Sequence, residues 1–325
     1  MARRCVGLIG VGNLGLELGR RLKSAYEVCA FDLNASRVSL LGCEAATSVT
    51  DVVRRIASKD TRPTVVSIVP NDEALRSVSD EVVMTLGEGG LHISCATVSP
   101  RASREVAVAH ENRGVNFVAA PIFARPENMR SNAASFILSG KEREAAANIL
   151  ACAAPPERLF LFGDDPGAAN VVKLCGNFLI AATIQSLAEG LAMTEANGVD
   201  RCAVMDVLSS TIFDCAIYKG YGRRVSRRDH APGGFALEHG LKDITLILDT
   251  AHRAGQPMPF GAVLRDRFLA AVALGRADLD WSAVALQTTR DGGVEDERSP
   301  ADFDDAARAA PGTLDSEHLG CDPTR

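Results

Sequence analysis

Lys173 and Asn177 stand one helical turn apart in the segment Gly167-Ala-Ala-Asn-Val-Val-Lys173-Leu-Cys-Gly-Asn177. Residues at that spacing share one face of a helix. A lysine there is either a surface side chain that snorkels or pairs with a carboxylate, or a proton donor and acceptor with an amide beside it to orient a reacting oxygen. Lysine is scarce in this chain, confined to Lys23, Lys59, Lys141, Lys173, Lys219 and Lys242, while arginine is abundant. A lysine kept inside an apolar helix of an arginine-biased chain favours the chemical reading.

The second candidate lies near the N-terminus, where Gly10-Val-Gly12-Asn13-Leu14-Gly15 follows the apolar run Val6-Gly-Leu-Ile9 and opens an amphipathic stretch. Glycines at this spacing permit a tight turn and a close backbone approach, so that helix N-terminal amides bind a pyrophosphate. The alternative is a purely structural strand-to-helix turn. Asp32 follows Gly15 by 17 residues, at the end of the next apolar run. A carboxylate there accepts the ribose hydroxyls of a dinucleotide and repels a 2′-phosphate, favouring NAD while leaving NADP possible through nearby Arg37; a plain turn or cap residue is the other reading. Val69 and Pro70 end a later strand at the same rim.

These sites need a scaffold. At 325 residues the chain is long enough for two cores. A net charge of -6 argues against nucleic acid as a partner, since phosphate contacts need a basic surface. The basic knot Arg223-Arg224-Val-Ser-Arg227-Arg228 reads as a solvated loop or a salt-bridged helix end. Nine scattered cysteines without a Cys-x-x-Cys pair, and six histidines without zinc-ligand spacing, predict no metal site and a reducing compartment. The N-terminal apolar run is short and glycine-broken, unlike a signal peptide, and no stretch is read as approaching a membrane span. The expectation is a cytoplasmic protein that acts on a small molecule.

Strand-like runs at residues 5–9, 27–31, 65–69, 91–95 and 116–119 alternate with helical patterns and predict a mainly parallel sheet, which 136–139 and 158–162 are expected to complete. From Gly163-Asp-Asp-Pro-Gly167 onward the pattern is helical. Residues 170–197 form one long apolar stretch ending in Asn-Gly, the length of a helix that joins two domains. A further helix is expected to open at Gly240, and Trp281 to fall in a late one. The expected fold is α/β, with domains over 1–165 and 166–290. Residues 291–325, acidic and poor in large apolar side chains, read as a disordered tail.

The glycine signature Gly7-Leu-Ile-Gly-Val-Gly-Asn-Leu-Gly15 resembles that of the β-hydroxyacid dehydrogenases, which include 3-hydroxyisobutyrate dehydrogenase and, more distantly, 6-phosphogluconate dehydrogenase. Further matches occur in order: Val65 to Pro70, Ser94-Cys-Ala-Thr97-Val-Ser-Pro100, Ala120-Pro121, the Lys173/Asn177 helix and Gly240-Leu-Lys242-Asp243. They span residues 5 to 286. The resemblance implies a Rossmann domain, an all-helical C-terminal domain and a homodimer sharing the long helix. It also implies Lys173 as general acid/base, Asn177 as its orienting partner, Thr97 near nicotinamide and substrate, and Lys242 closing over the cofactor.

Two departures affect the substrate. Ala96-Thr97 has one hydroxyl where the family usually has Ser-Thr. The loop after Ala120-Pro121 reads Ile122-Phe123-Ala124-Arg125-Pro126, where the family has small residues that hold a carboxylate. Phe123 would line or narrow the pocket. Arg125 either binds an anionic substrate group by a bidentate contact or braces the loop. Phe213, Tyr218, Tyr221, Phe235 and His239 are either core residues or the wall of a larger, less polar pocket, with His239 the candidate for substrate contact. The expected reaction interconverts an alcohol, hydroxyacid-like or bulkier, with its aldehyde or ketone. An imine reductase shares this architecture but commonly lacks the lysine, and a cofactor-binding module without turnover is the non-enzymatic alternative.

Overall fold

The computed structural model describes residues 3–293. Cys5–Ile9 (β1) is buried along its whole length, as a middle strand covered on both faces must be. It is followed by Asn13–Ala25 (α1), Glu27–Phe31 (β2), Ala35–Leu41 (α2), Glu44–Ala45 (β3), Val49–Ala57 (α3) and Thr64–Ser67 (β4). Asp72–Thr85 (α4), Leu91–Ser94 (β5), Pro100–Glu111 (α5) and Asn116–Ala119 (β6) complete the first sheet. All six strands pair in parallel, in the order β3-β2-β1-β4-β5-β6. This is the doubly wound dinucleotide-binding order. Its strand order reverses between β1 and β4, so the loops leaving those two strands flank the crevice where such sheets bind ligands.

Side-chain caps fix where the helices begin. Asn71 Oδ1 accepts from the Ala74 amide at the start of α4, and Ser99 Oγ from the Ala102 amide at the start of α5. The Asp72 carboxylate accepts from both the amide and the hydroxyl of Ser99, which ties the loops after β4 and β5 together.

The expected completion of this sheet by 136–139 and 158–162 is corrected. Ile122–Phe123 (β7), Ser135–Leu138 (β8) and Leu159–Leu161 (β9) form a separate three-stranded sheet in that order. β7 is antiparallel to β8, and β8 is parallel to β9. The reason is β7: it pairs with β8 at Ile122↔Phe136 and Phe123↔Ser135, and β8 meets the first sheet only through the antiparallel bridge of Ala119 with Ser139. Pro126–Arg130 (α6) lies between β7 and β8, and Arg143–Leu150 (α7) between β8 and β9.

The remainder is helical: Ala168–Ala196 (α8), Arg201–Ser209 (α9), Arg223–Ser226 (α10), Leu237–Arg253 (α11), Pro259–Ala273 (α12) and Ala285–Asp291 (α13). α11 opens at Leu237, one turn ahead of the expected Gly240, and Trp281 sits in a short 3-10 turn before α13. The chain divides into two compact units, Met1–Cys175 and Gly176–Arg325, with the division inside α8. The second unit has its own core, in which Leu187, Leu191, Ile244, Phe268 and Trp281 are buried. Of the segment expected to be a disordered tail, residues 294–325 lie outside the described residues.

The expectation that no stretch approaches a membrane span is also corrected. α8, at 29 residues, is long and apolar enough by length and composition, and 44% of its most apolar window is buried. The sequence reading recognised the stretch as long and apolar but assigned it to a helix joining two domains, without testing its length against a membrane span.

Behind β5, three polar residues form a buried chain. His110 Nδ1 donates to the Val106 carbonyl, 2.9 Å away, so its Nε2 is the acceptor for His92 Nδ1 at 3.0 Å. His92 Nε2 then accepts from Ser67 Oγ at 2.8 Å. Both rings are neutral in this arrangement. Burial holds His110 down at about 4 and His92 well below its ordinary range. The unfolded chain takes up these protons near pH 6.5, whereas the folded chain does so only near pH 4 for His110. Stability is therefore full above pH 6.5 and falls as the pH drops towards 4. His110 alone is expected to remove about 2 to 3 kcal/mol between pH 7.5 and 4.5. Urea melts at the two pH values check this: the loss should shrink by about that amount in His110→Leu, and an equal loss in both proteins refutes it.

Candidate functional site

The glycine loop is built by contacts of different kinds. Gly10 adopts φ +90°, and a Cβ there would stand 2.1 Å from the Ile68 carbonyl oxygen, so the loops after β1 and β4 touch only because this side chain is absent. A Cβ on Gly15 would lie 2.4 Å from the Gly10 carbonyl oxygen. Gly12 differs: nothing lies within 4 Å of its Cβ position, and it caps α1 without any side-chain acceptor. Open space at an uncapped helix N-terminus fits a pyrophosphate. Asn13 is exposed beside it, and Leu14 packs on the core cluster beneath.

Asp32 closes this loop from the side. Its Oδ2 accepts from the Val11 amide at 2.6 Å and its Oδ1 from the Asn34 amide at 2.8 Å. Each oxygen accepts one backbone bond and retains a second lone pair, so bracing the loop and receiving ribose hydroxyls are compatible roles. Arg37 reaches back to the same rim, where its Nη1 donates to Asn13 Oδ1 at 3.1 Å. Beyond the crevice Val69 is half-buried and Pro70 exposed.

One apolar cluster in this first unit gathers the remaining candidates. It contains Leu75, Ala96, Val98 and Ala169, with Val69, Phe123 and Val172 packed against it. Thr97 is half-buried between two members of that cluster, and Lys173 follows another. Lys173 is buried, on the same α8 face as Ala169, and its Nζ lies 4.3 Å from the centroid of the Phe123 ring. The start of α8 is fastened by Ser139, whose hydroxyl accepts from the Ala169 amide and donates to the Pro166 carbonyl. Ser103 adds a bond to Asn170 Oδ1 at 2.8 Å. The sequence reading missed both serines, because neither belongs to a motif and both contacts bridge long sequence separations.

Arg125 caps α6. Its Nε donates to Glu127 Oε1 at 2.8 Å, and its backbone amide donates to Asn128 Oδ1. These are the contacts of a loop brace, and they set a carboxylate beside the guanidinium.

Within the second unit Asn177, also buried, donates through Nδ2 to Asp243 Oδ2 at 2.5 Å. The other oxygen of Asp243 pairs with Lys242 Nζ at 2.9 Å. Fully buried Asp243 thus holds both Asn177 and Lys242. Its place beside Lys242 in the motif was its only sequence signal. His239 is exposed on α11, with its ring edge-on to Phe235 at 6.0 Å. Phe235 and Tyr221 pack edge-on against buried Trp281, whereas Phe213 pairs with Tyr218. Among the described residues no cluster of acidic, cysteine or histidine side chains could hold a metal ion.

Comparison with known proteins agrees with this geometry. Residues 5–158 match the family model for the NAD binding domain of 6-phosphogluconate dehydrogenase. Residues 167–287 match the model for the NAD-binding region of NADP-dependent 3-hydroxyisobutyrate dehydrogenase. The oxidoreductase YfjR of Bacillus subtilis (strain 168) is 28% identical over 285 residues, covering 86% of this chain and 98% of its own. The 3-hydroxyisobutyrate dehydrogenase of Pseudomonas aeruginosa is 26% identical, covering 81% of this chain and 90% of its own. In fold, the chain is similar to Mycobacterium tuberculosis 3-hydroxyisobutyrate dehydrogenase, with a TM-score of 0.75, 23% identity and coverage of 88% and 98% of the two chains. Both family models fall where the glycine loop and the Lys173 helix lie, and the chain belongs to the β-hydroxyacid dehydrogenase superfamily as an oxidoreductase that acts on CH–OH groups with NAD or NADP.

Proposed function

We propose that this oxidoreductase interconverts an alcohol with its aldehyde or ketone, with Lys173 as the general acid/base and NAD preferred over NADP. The observation that carries the reading is a buried lysine at the start of α8, next in sequence to Val172, which packs on the apolar cluster that also takes Val69 after β4 and Ala96 and Val98 after β5. Bound nicotinamide supplies the hydride acceptor or donor. Lys173 Nζ takes the hydroxyl proton in oxidation and returns it to the carbonyl oxygen in reduction. Asn177 spends one of its two amide N–H groups on Asp243, which fixes the orientation of the amide, and its Oδ1 is the acceptor suited to a substrate hydroxyl. Thr97 adds a hydroxyl near the reacting carbon.

The substrate loop supports a departure from small hydroxyacids. Ile122 is buried, Phe123 contributes a ring in place of a small side chain, and Arg125 already faces Glu127. A carboxylate finds less to bind there, so the group next to the reacting carbon is larger and less polar. The test is NADH and NADPH consumption with a panel of aldehydes, keto acids, ketones and cyclic imines. Reduction of a carbonyl is expected, with kcat lowered about 10²- to 10⁴-fold in Lys173→Ala. Imine reduction that survives the mutation would move the protein to the imine reductases. Cofactor binding without turnover across the panel would favour the non-catalytic reading.

Cofactor choice has its own check. Asp32 repels a 2′-phosphate, so kcat/KM should favour NADH. In Asp32→Ser the NADH to NADPH ratio should fall by about tenfold, or about 1.4 kcal/mol; an unchanged ratio assigns the choice to other residues.

We further propose a homodimer formed along α8. Val171, Cys175, Leu179 and Met193 are exposed on this helix, although its most apolar window has a mean hydropathy of 1.5. Leu179 and Met193, fourteen residues apart, fall on nearly the same side. An apolar stripe of this kind marks an interaction surface. Light scattering should give twice 34.4 kDa, and Leu179→Glu/Met193→Glu should give the monomer. A wild-type monomer, or partition of the wild type into lipid vesicles, would defeat this proposal.

A further inference from the structure

β7 sends successive side chains to opposite sides, as a strand must. Ile122 enters the core cluster of β1 and β5, whereas Phe123 enters the cluster of Ala96, Val98, Ala169 and Val172. The pairing of Phe123 with Ser135 of β8 fixes the backbone from which the ring projects. That ring meets the Lys173 ammonium at 4.3 Å from its centroid, within the range of a cation–π contact. The geometry points to Phe123 as the positioning residue of Lys173, holding its charged amino group by the ring face and fixing where the proton is delivered. This rests on the acid/base reading of Lys173.

Two properties make a phenyl ring suited to the task. Lys173 is buried, and burial penalises the ammonium form that a carbonyl reductase needs as its acid. The ring attracts the cation and so offsets part of that penalty. It is also no base. A carboxylate in the same place would compete for the proton, whereas a ring leaves the N–H groups to oxygen acceptors. A lysine has four side-chain torsions and a phenylalanine two, so the packed ring is the stiffer partner and sets the geometry. The charged groups on the neighbouring elements have partners of their own. Asp72 holds Ser99, Arg76 pairs with Glu105, Arg104 with Asp165, and Arg125 with Glu127.

The test reads Lys173 directly. The chain has six lysines, so protein labelled with ¹³C-lysine gives six Cε signals, and the one lost in Lys173→Arg belongs to Lys173. Its titration midpoint should fall by about one pH unit in Phe123→Leu and return in Phe123→Tyr. Phe123→Met replaces Leu if thermal melts show that the Leu variant does not fold. In the reductive direction, the pH above which kcat/KM falls should move down with the Cε midpoint. A midpoint unchanged in a folded Leu or Met variant overturns the proposal, as does a midpoint that fails to return with Tyr. Turnover that survives Lys173→Ala overturns the acid/base reading instead, a result the Cε titration does not depend on.

Discussion

Taking a lysine ammonium out of water is the constraint on which the rest of this structure depends. An isolated buried charge is costly enough that the group would otherwise lose its proton or swing back to solvent. Lys173 is instead held near the start of a long helix whose first turn is fastened to the second sheet through Ser139 and to α5 through Ser103. These bonds fix the helix before the lysine emerges from it. Phe123 then meets the charge from a strand of that same second sheet. The separate three-stranded sheet therefore has a chemical consequence: it supplies both the anchor of the helix and the ring against the amine.

The cofactor loop follows a different logic, in which absent side chains matter most. Gly10 and Gly15 let backbones approach closer than any Cβ permits, and Gly12 leaves open space at the helix end. Asp32 is fixed by two backbone amides and cannot rotate away, so its remaining lone pairs are presented in a set direction. If Asp32 receives the ribose hydroxyls as proposed, the carboxylate that braces the loop also couples cofactor choice to loop shape. The effect of altering it is then larger than the loss of one contact.

Legibility in the sequence divides along physical lines. β1 and β2 were readable to the residue because parallel strands covered on both faces carry continuous apolar runs, Cys5 to Ile9 in β1 and Val28 to Phe31 in β2. The glycine loop was readable because steric needs at a turn admit one residue type. The second sheet was misassigned to the first because strand pattern says nothing of partner. Lys173 and Asn177 could be placed on one face from spacing alone. The contacts that give them function, Phe123 and Asp243, lie far away in sequence and carry no local periodicity. α8 was recognised as long and apolar, but spacing could not reveal how much of it other parts of the chain leave uncovered.

Under the proposed function, chemistry and specificity meet in the loop after β6. The proposed acid/base lysine and the glycine loop both lie within the family matches. The loop after β6 departs from the small, amide-presenting form, and it does so where Phe123 touches the lysine. A substitution there changes two properties together: the space offered to the substrate and the charge state favoured at the amine. A ring at this position disfavours a carboxylate next to the reacting carbon while supporting the protonated lysine that carbonyl reduction requires. Under the proposed function, the same side chain thus bears on both the substrate space and the charge state of Lys173, which small residues at that position would leave independent.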